Sequence, residues 1–101
     1  MSDSIALTEA VYYILLSLFS PMHGYGIMQN VSKLSGGRVN LAAGTLYGAI
    51  STMVEKGWIR ALLSEKNSRK KEYEITGEGK KVVKSEINRL QELLDNGRNI
   101  I

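Results

Sequence analysis

The sequence predicts a mainly α-helical domain with one small β-hairpin, in the order helix, helix, helix, hairpin, helix. Three observations predict this order. Apolar residues recur at helical spacing in three successive short segments of the first half. Strict alternation appears in KEYEIT (71–76), where Tyr73 and Ile75 interleave with Glu72 and Glu74. Helical spacing then resumes, with Val83, Ile87, Leu90 and Leu94 separated by 4, 3 and 4 positions, a heptad-like seam.

The first helix is expected to start after Thr8, a residue whose hydroxyl can cap free backbone amides. Val11, Ile14, Leu15 and Leu18 form one apolar stripe, and Tyr12, Leu16 and Phe19 a second on the other side. A helix apolar all round is buried all round, so in so small a domain one of its faces is expected to meet a second chain or a ligand. Pro21, the sole proline, is expected to end it. Ile27, Val31 and Leu34 mark a second helix after the turn PMHGYG, closed by Ser35-Gly36-Gly37. Gly24 and Gly26 are expected to let the first two helices approach closely, and His23 to make a structural contact where the second begins. Arg38 to Leu41 reads as a link with room for one ladder pair. The third helix carries Leu46, Ile50, Met53 and Val54 and closes at Gly57. Residues 58–65 and 71–76 are the hairpin strands, with Trp58 a lid on the core. The last helix follows Thr76, a candidate N-cap, and is expected to stop at Gly97.

The chain has 101 residues, 44% of them hydrophobic and 23% charged, an ordinary balance for one small folded domain. A core this thin gains from oligomerising. There is no cysteine, which excludes disulfides, thiolate metal sites and cysteine nucleophiles and suits a reducing cytoplasm, the expected location. The apolar run Ile5 to Phe19 lacks the basic flank of a secretory signal and is too short to span a bilayer, so no membrane partner is expected. His23 is the only histidine, so a zinc site is not expected. The glycines beside it have neither the Gly-Lys-Ser/Thr nor the preceding strand of a phosphate loop. No serine, histidine and acid are set out as a nucleophile and its base. No catalysis, metal or cofactor is expected.

The face of the third helix opposite its apolar stripe is unusual. It holds Gly44, Thr45, Gly48, Ser51 and Thr52 where a solvated helix normally carries long charged side chains. Three short helices followed by a basic hairpin describe a winged helix-turn-helix, in which the third helix enters the DNA major groove. Small residues there admit the duplex, and hydroxyls of Thr45, Tyr47 and Ser51 can reach phosphates or base edges. The alternative is that this face packs against another helix. Between Lys56 and Lys84, nine basic residues face four acidic ones, a local excess of five against +3 for the chain. Lys66, Arg69, Lys70 and Lys71 crowd the hairpin tip, where a wing grips sugar-phosphate. Ala43, Gly44, Thr45, Tyr47, Gly48, Ser51 and these four basic residues are therefore the candidate DNA-binding set.

HGYGI (23–27), GTLYGAI (44–50), EKGWI (55–59) and SRKKEYEIT (68–76) resemble the PadR-like transcriptional regulators, in particular short members with a single C-terminal helix. The similarity runs from about Leu7 to Gly79. It implies residues 1–76 as a winged helix-turn-helix DNA-binding unit and 77–101 as a dimerisation helix, together one compact domain. It further implies a dimeric winged-helix repressor that binds double-stranded DNA, released in many relatives by small aromatic compounds or drugs at the dimer interface. First and last helices would build that interface, with Leu7, Val11, Val83, Ile87, Leu90 and Leu94 as its candidates. Tyr12, Leu16 and Phe19 are candidates for an effector pocket, or else core. The chain departs from the family pattern at Gly48, where proline is usual, and at Ala42, where a capping serine or asparagine is usual. Residues 77–101 contain no aromatic, so a flat drug stacked on the last helix is not expected. The rival expectation is a winged-helix protein-interaction module that ignores DNA.

Overall fold

A computed structural model describes residues 6–62 and 71–101. It contains helix α1 (Glu9–Ser17), strand β1 (Met22–His23), helices α2 (Gly24–Leu34) and α3 (Ala43–Glu55), strands β2 (Ile59–Leu62) and β3 (Glu72–Ile75), and helix α4 (Gly77–Ile100). The fold is a winged helix: three packed helices, a small antiparallel sheet ordered β1-β3-β2, and a long last helix. The core is drawn from every layer. Ile14, Leu15 and Leu18 meet Ile27 and Val31, Leu46, Ile50 and Met53, Ile59, Tyr73 and Ile75, and Val83.

Helix ends follow the capping chemistry. The Thr8 hydroxyl accepts from the Val11 amide at 3.1 Å, and the Thr76 hydroxyl from the Gly79 amide at 3.1 Å. His23 caps α2, its Nδ1 accepting from the Gly26 amide at 3.3 Å, which gives the expected structural contact a definite form. Gly57 ends α3 at φ 79°, a left-handed conformation that glycine adopts without the steric cost other residues meet.

Several expectations need correction. α1 stops at Ser17, before Pro21, because the Leu18 amide is shared between the Ile14 and Leu15 carbonyls and the turn tightens there. The ladder pairing expected near 38–41 is made instead by Met22 and His23, opposite Tyr73 and Glu72. Gly97 does not stop α4, which runs on to Ile100. An interior glycine costs only about 1 kcal/mol relative to alanine, too little to break a long helix. Val83, expected at a dimer interface, is only 2% exposed and belongs to this chain's own core. Gly79, Val83 and Glu86 form the stripe by which α4 docks, so the uncovered seam begins at Ile87. α1 is also less enclosed than its composition suggests. Ile14, Leu15 and Leu18 are buried, whereas Val11, Tyr12, Tyr13 and Leu16 are half-buried at the core's edge.

Two contacts fix α4. A methyl added at Gly79 would overlap the Trp58 carbonyl oxygen and lie 2.7 Å from Ile75 Cγ1, so the helix sits on the sheet at a spacing only glycine allows. Further along, the buried Glu86 carboxylate accepts from Arg89 at 2.7 and 2.8 Å and from the Leu7 amide at 3.4 Å, tying the start of α1 to α4. The Arg89 guanidinium holds this carboxyl below its ordinary value of 4.5, against the opposing effect of burial. Beyond Glu86 the helix outruns the core, and every residue from Leu90 to Ile101 is at least partly exposed.

Gly79→Ala should destabilise the protein by about 1–3 kcal/mol in denaturant unfolding, because the clashing partner is backbone and cannot swing aside. A depressed folded-state carboxyl stabilises fully above the unfolded value and ceases to do so as pH falls through the folded one. Glu86→Gln should therefore lower the melting temperature at neutral pH and remove part of its decline below about pH 5 in thermal scans.

Candidate nucleic-acid interface

α3 is a two-faced helix whose rotation is set by burial. Leu46, Ile50 and Met53, spaced 4 and 3, are buried in the common core, where α3 packs on α2 and β2. That register turns Ala43, Gly44, Thr45, Tyr47, Gly48, Ser51 and Thr52 outward, and all are exposed. A methyl placed on Gly44 or Gly48 would meet nothing within 4 Å. The alternative reading of this face, packing against another helix of the same chain, does not hold among the described residues. Its glycines answer no steric need there.

Local chemistry leaves the helix backbone accessible. Ala42 supplies no side-chain cap, so the first turn of α3 keeps free amides at its positive dipole end. The Thr52 hydroxyl donates back to the Gly48 carbonyl at 3.2 Å. Tyr47 differs from its neighbours. It is 47% exposed, yet its ring leans against the first residue of α2, where a Gly24 methyl would overlap the hydroxyl and lie 2.7 Å from Cζ. The expected role of Gly24, spacing α1 from α2, is thus corrected: it makes room for a side chain of α3. Gly26 faces Met22, whose Cγ would lie 3.0 Å from an added methyl, so it too does not separate the helices. Tyr73 sits nearby in β3, and its phenol is raised above the ordinary 10.0 by burial first and by Tyr47 second.

The sheet adds charge beside this helix. Arg60 of β2 pairs with Glu74 of β3 across the ladder, its Nε donating at 2.7 Å. Lys71 is exposed immediately before β3. Lys66, Arg69 and Lys70 lie outside the described residues. Lys56 closes α3 with its ammonium 5.3 Å from the centre of the Trp58 ring, a cation–π contact that the sequence did not suggest.

The other candidate residues are scattered. Ile87, Leu90 and Leu94 are exposed along α4. Leu7 and Val11 are half-buried at the core's edge, with the Leu7 amide bonded to Glu86 of α4. Phe19 lines a cleft of about 310 Å³ with Leu18, Arg60, Glu74 and Lys80, and the Lys80 ammonium stands 5.7 Å from its ring centre. Tyr12 and Leu16 do not line that cleft, so these three do not share it. Among the described residues, no three His, Asp or Glu side chains gather as metal ligands, and no helix is long and apolar enough to cross a membrane.

The model of the PadR-like family of transcriptional regulators matches residues 13–85. Among solved structures, a transcriptional regulator from Clostridium thermocellum is similar over 91% of this chain and 90% of its own, at 25% identity and a TM-score of 0.72. A PadR family transcription regulator from Clostridium difficile aligns over 89% of this chain and 96% of its own, at 22% identity and a TM-score of 0.70. The fold is shared with a point mutant of MepR from S. aureus, at 14% identity and a TM-score of 0.74 over 94% of this chain and 66% of that one. No curated protein matches the sequence.

Since an alanine methyl at position 48 meets open space, Gly48→Ala should stabilise the fold by up to about 1 kcal/mol in denaturant unfolding.

Proposed function

The chain belongs to the PadR-like family of transcriptional regulators, and from that premise we propose that it is a homodimeric repressor that binds duplex DNA through α3 and the β2–β3 wing. The observation that carries this reading is the outward face of α3, exposed along its length and bare of bulk at Gly44 and Gly48. A duplex pressed there meets backbone and short hydroxyls, with Thr45, Tyr47 and Ser51 placed to contact phosphates or base edges. Lys71, with Lys66, Arg69 and Lys70 just before it in the sequence, adds cations where a wing follows the sugar-phosphate.

In this reading residues 1–76 bind DNA and residues 77–101 pair two chains. Ile87, Leu90 and Leu94 supply a seam at heptad-like spacing, exposed in the single chain, with Leu7 before α1 and Val11 within it as further candidates. Two-fold pairing sets the two α3 helices into successive major grooves, about 34 Å apart. Repression follows from occupying a promoter. Release belongs to a small aromatic compound held between α1 and α4, with Tyr12, Leu16 and Phe19 as its candidate contacts. Such a compound acts only by binding one spacing of the two reading helices better than another.

The test is fluorescence anisotropy with the DNA upstream of the protein's own gene. Affinity should fall steeply with added salt, and Lys71→Ala should weaken binding and flatten the log–log salt slope by about 1. A folded dimer with no affinity for this duplex or for a random duplex pool at low salt would instead identify a protein-interaction module.

A further inference from the structure

We propose that Gly24 is a positioning residue for DNA binding: its missing side chain is the socket that seats the Tyr47 phenol, and this seating sets where the Tyr47 hydroxyl meets the duplex. The inference rests on the DNA reading above and deepens it by assigning a role to a residue that faces no DNA itself. Gly24 is the first residue of α2 and is buried. Twenty-three positions later in the chain, Tyr47 lies on α3 between the exposed Gly44 and Gly48 face and the buried Leu46 and Ile50 stripe. Its ring fills the volume a side chain at position 24 would need: an added methyl would overlap the hydroxyl, with ring carbons Cζ and Cε1 at 2.7 and 3.2 Å.

Other demands on Gly24 are weak. It is not in a left-handed conformation, so a substitution there brings no backbone strain, and the three nearest atoms to an added methyl all belong to Tyr47. The contrast with Gly79 is direct, since the obstacle there is a carbonyl oxygen of the main chain. At Gly24 the obstacle is the far end of a half-exposed side chain, which can swing into solvent. A methyl at position 24 therefore evicts the phenol and leaves the packing of α2 on α1 in place. The socket is itself held from both sides. His23 caps α2 immediately before Gly24 and, with Met22, pairs to β3 opposite Glu72 and Tyr73. Strand, cap and helix start thus present one fixed surface to the Tyr47 ring, and a rigid phenol so oriented loses little freedom on binding.

A double-mutant cycle tests this, with binding read by anisotropy on a duplex enriched from a random pool by the unmodified protein and folding read by thermal unfolding. Gly24→Ala should bind about tenfold more weakly with an unchanged circular dichroism spectrum, Tyr47→Ala should lose at least as much, and Gly24→Ala should cost less than twofold when Tyr47 is already alanine. Should Gly24→Ala fail to fold, restored folding in the double variant still identifies the Tyr47 ring as the clash, and Tyr47→Phe, which keeps the ring, should then show the binding loss alone. Equal losses from Gly24→Ala in both backgrounds, or none in either, overturn the socket while leaving DNA binding standing. Failure of the unmodified protein to enrich any duplex removes the DNA reading and this inference with it.

Discussion

Burial of Leu46, Ile50 and Met53 is the constraint on which the remainder of the molecule depends. Each of the three is at most 3% exposed, and burying a large aliphatic side chain is worth about 1.5–3 kcal/mol. Rotating α3 by even one residue would move this stripe about 100° out of the core, at a cost comparable with the whole stability of a small domain. The opposite face has no freedom to choose its direction. It is presented outward by the core, and its composition decides what can approach it. Gly44 and Gly48 bring the approach down to the main chain, and an α-helix stripped in this way suits a partner with a deep groove.

The rest of the fold serves to hold that helix. Its N-terminal end lacks a side-chain cap, and Gly48 weakens its middle, so its order comes from neighbours rather than from its own propensity. α2 abuts it through Tyr47 and Gly24. The Trp58 carbonyl takes the Thr76 amide at 2.9 Å and lies against Gly79, joining the end of α3, the sheet and the start of α4. Glu86 closes the circuit by binding Arg89 and the Leu7 amide. α4 is thereby rigidly attached at its first three turns, while its remainder projects beyond the core with an apolar seam. A second chain on that seam would be coupled mechanically to α1 and the sheet, and through α2 and β2 to α3.

Much of this was legible in the sequence, and the reasons differ by element. The Thr8 and Thr76 caps, the Gly57 stop and the alternation of Tyr73 and Ile75 are local signals, decided by groups within a few residues of one another. The outward face of α3 was legible because helical spacing fixes both faces at once. β1 was not, since two residues carry no period and Met22 and His23 become a strand only through the edge that β3 offers. The extent of α4 was misjudged because Gly97 weakens a helix without ending it. Val83 fits the heptad as well as Ile87 does; which one is buried depends on how far the core reaches along α4, a tertiary fact. The pairing of Gly24 with Tyr47 joins two segments 23 residues apart and left no trace in either one alone.

The central claim is that the outward face of α3 is where DNA sits. Titrating the 15N-labelled protein with a duplex selected from a random pool and following its backbone amides by NMR tests this most directly. The account predicts the largest shifts at Gly44, Thr45, Gly48 and Ser51, with the amides of the α4 end from Gln91 to Ile100 little changed. Unmoved α3 amides alongside large shifts on α4 or the outer side of α2 would contradict it.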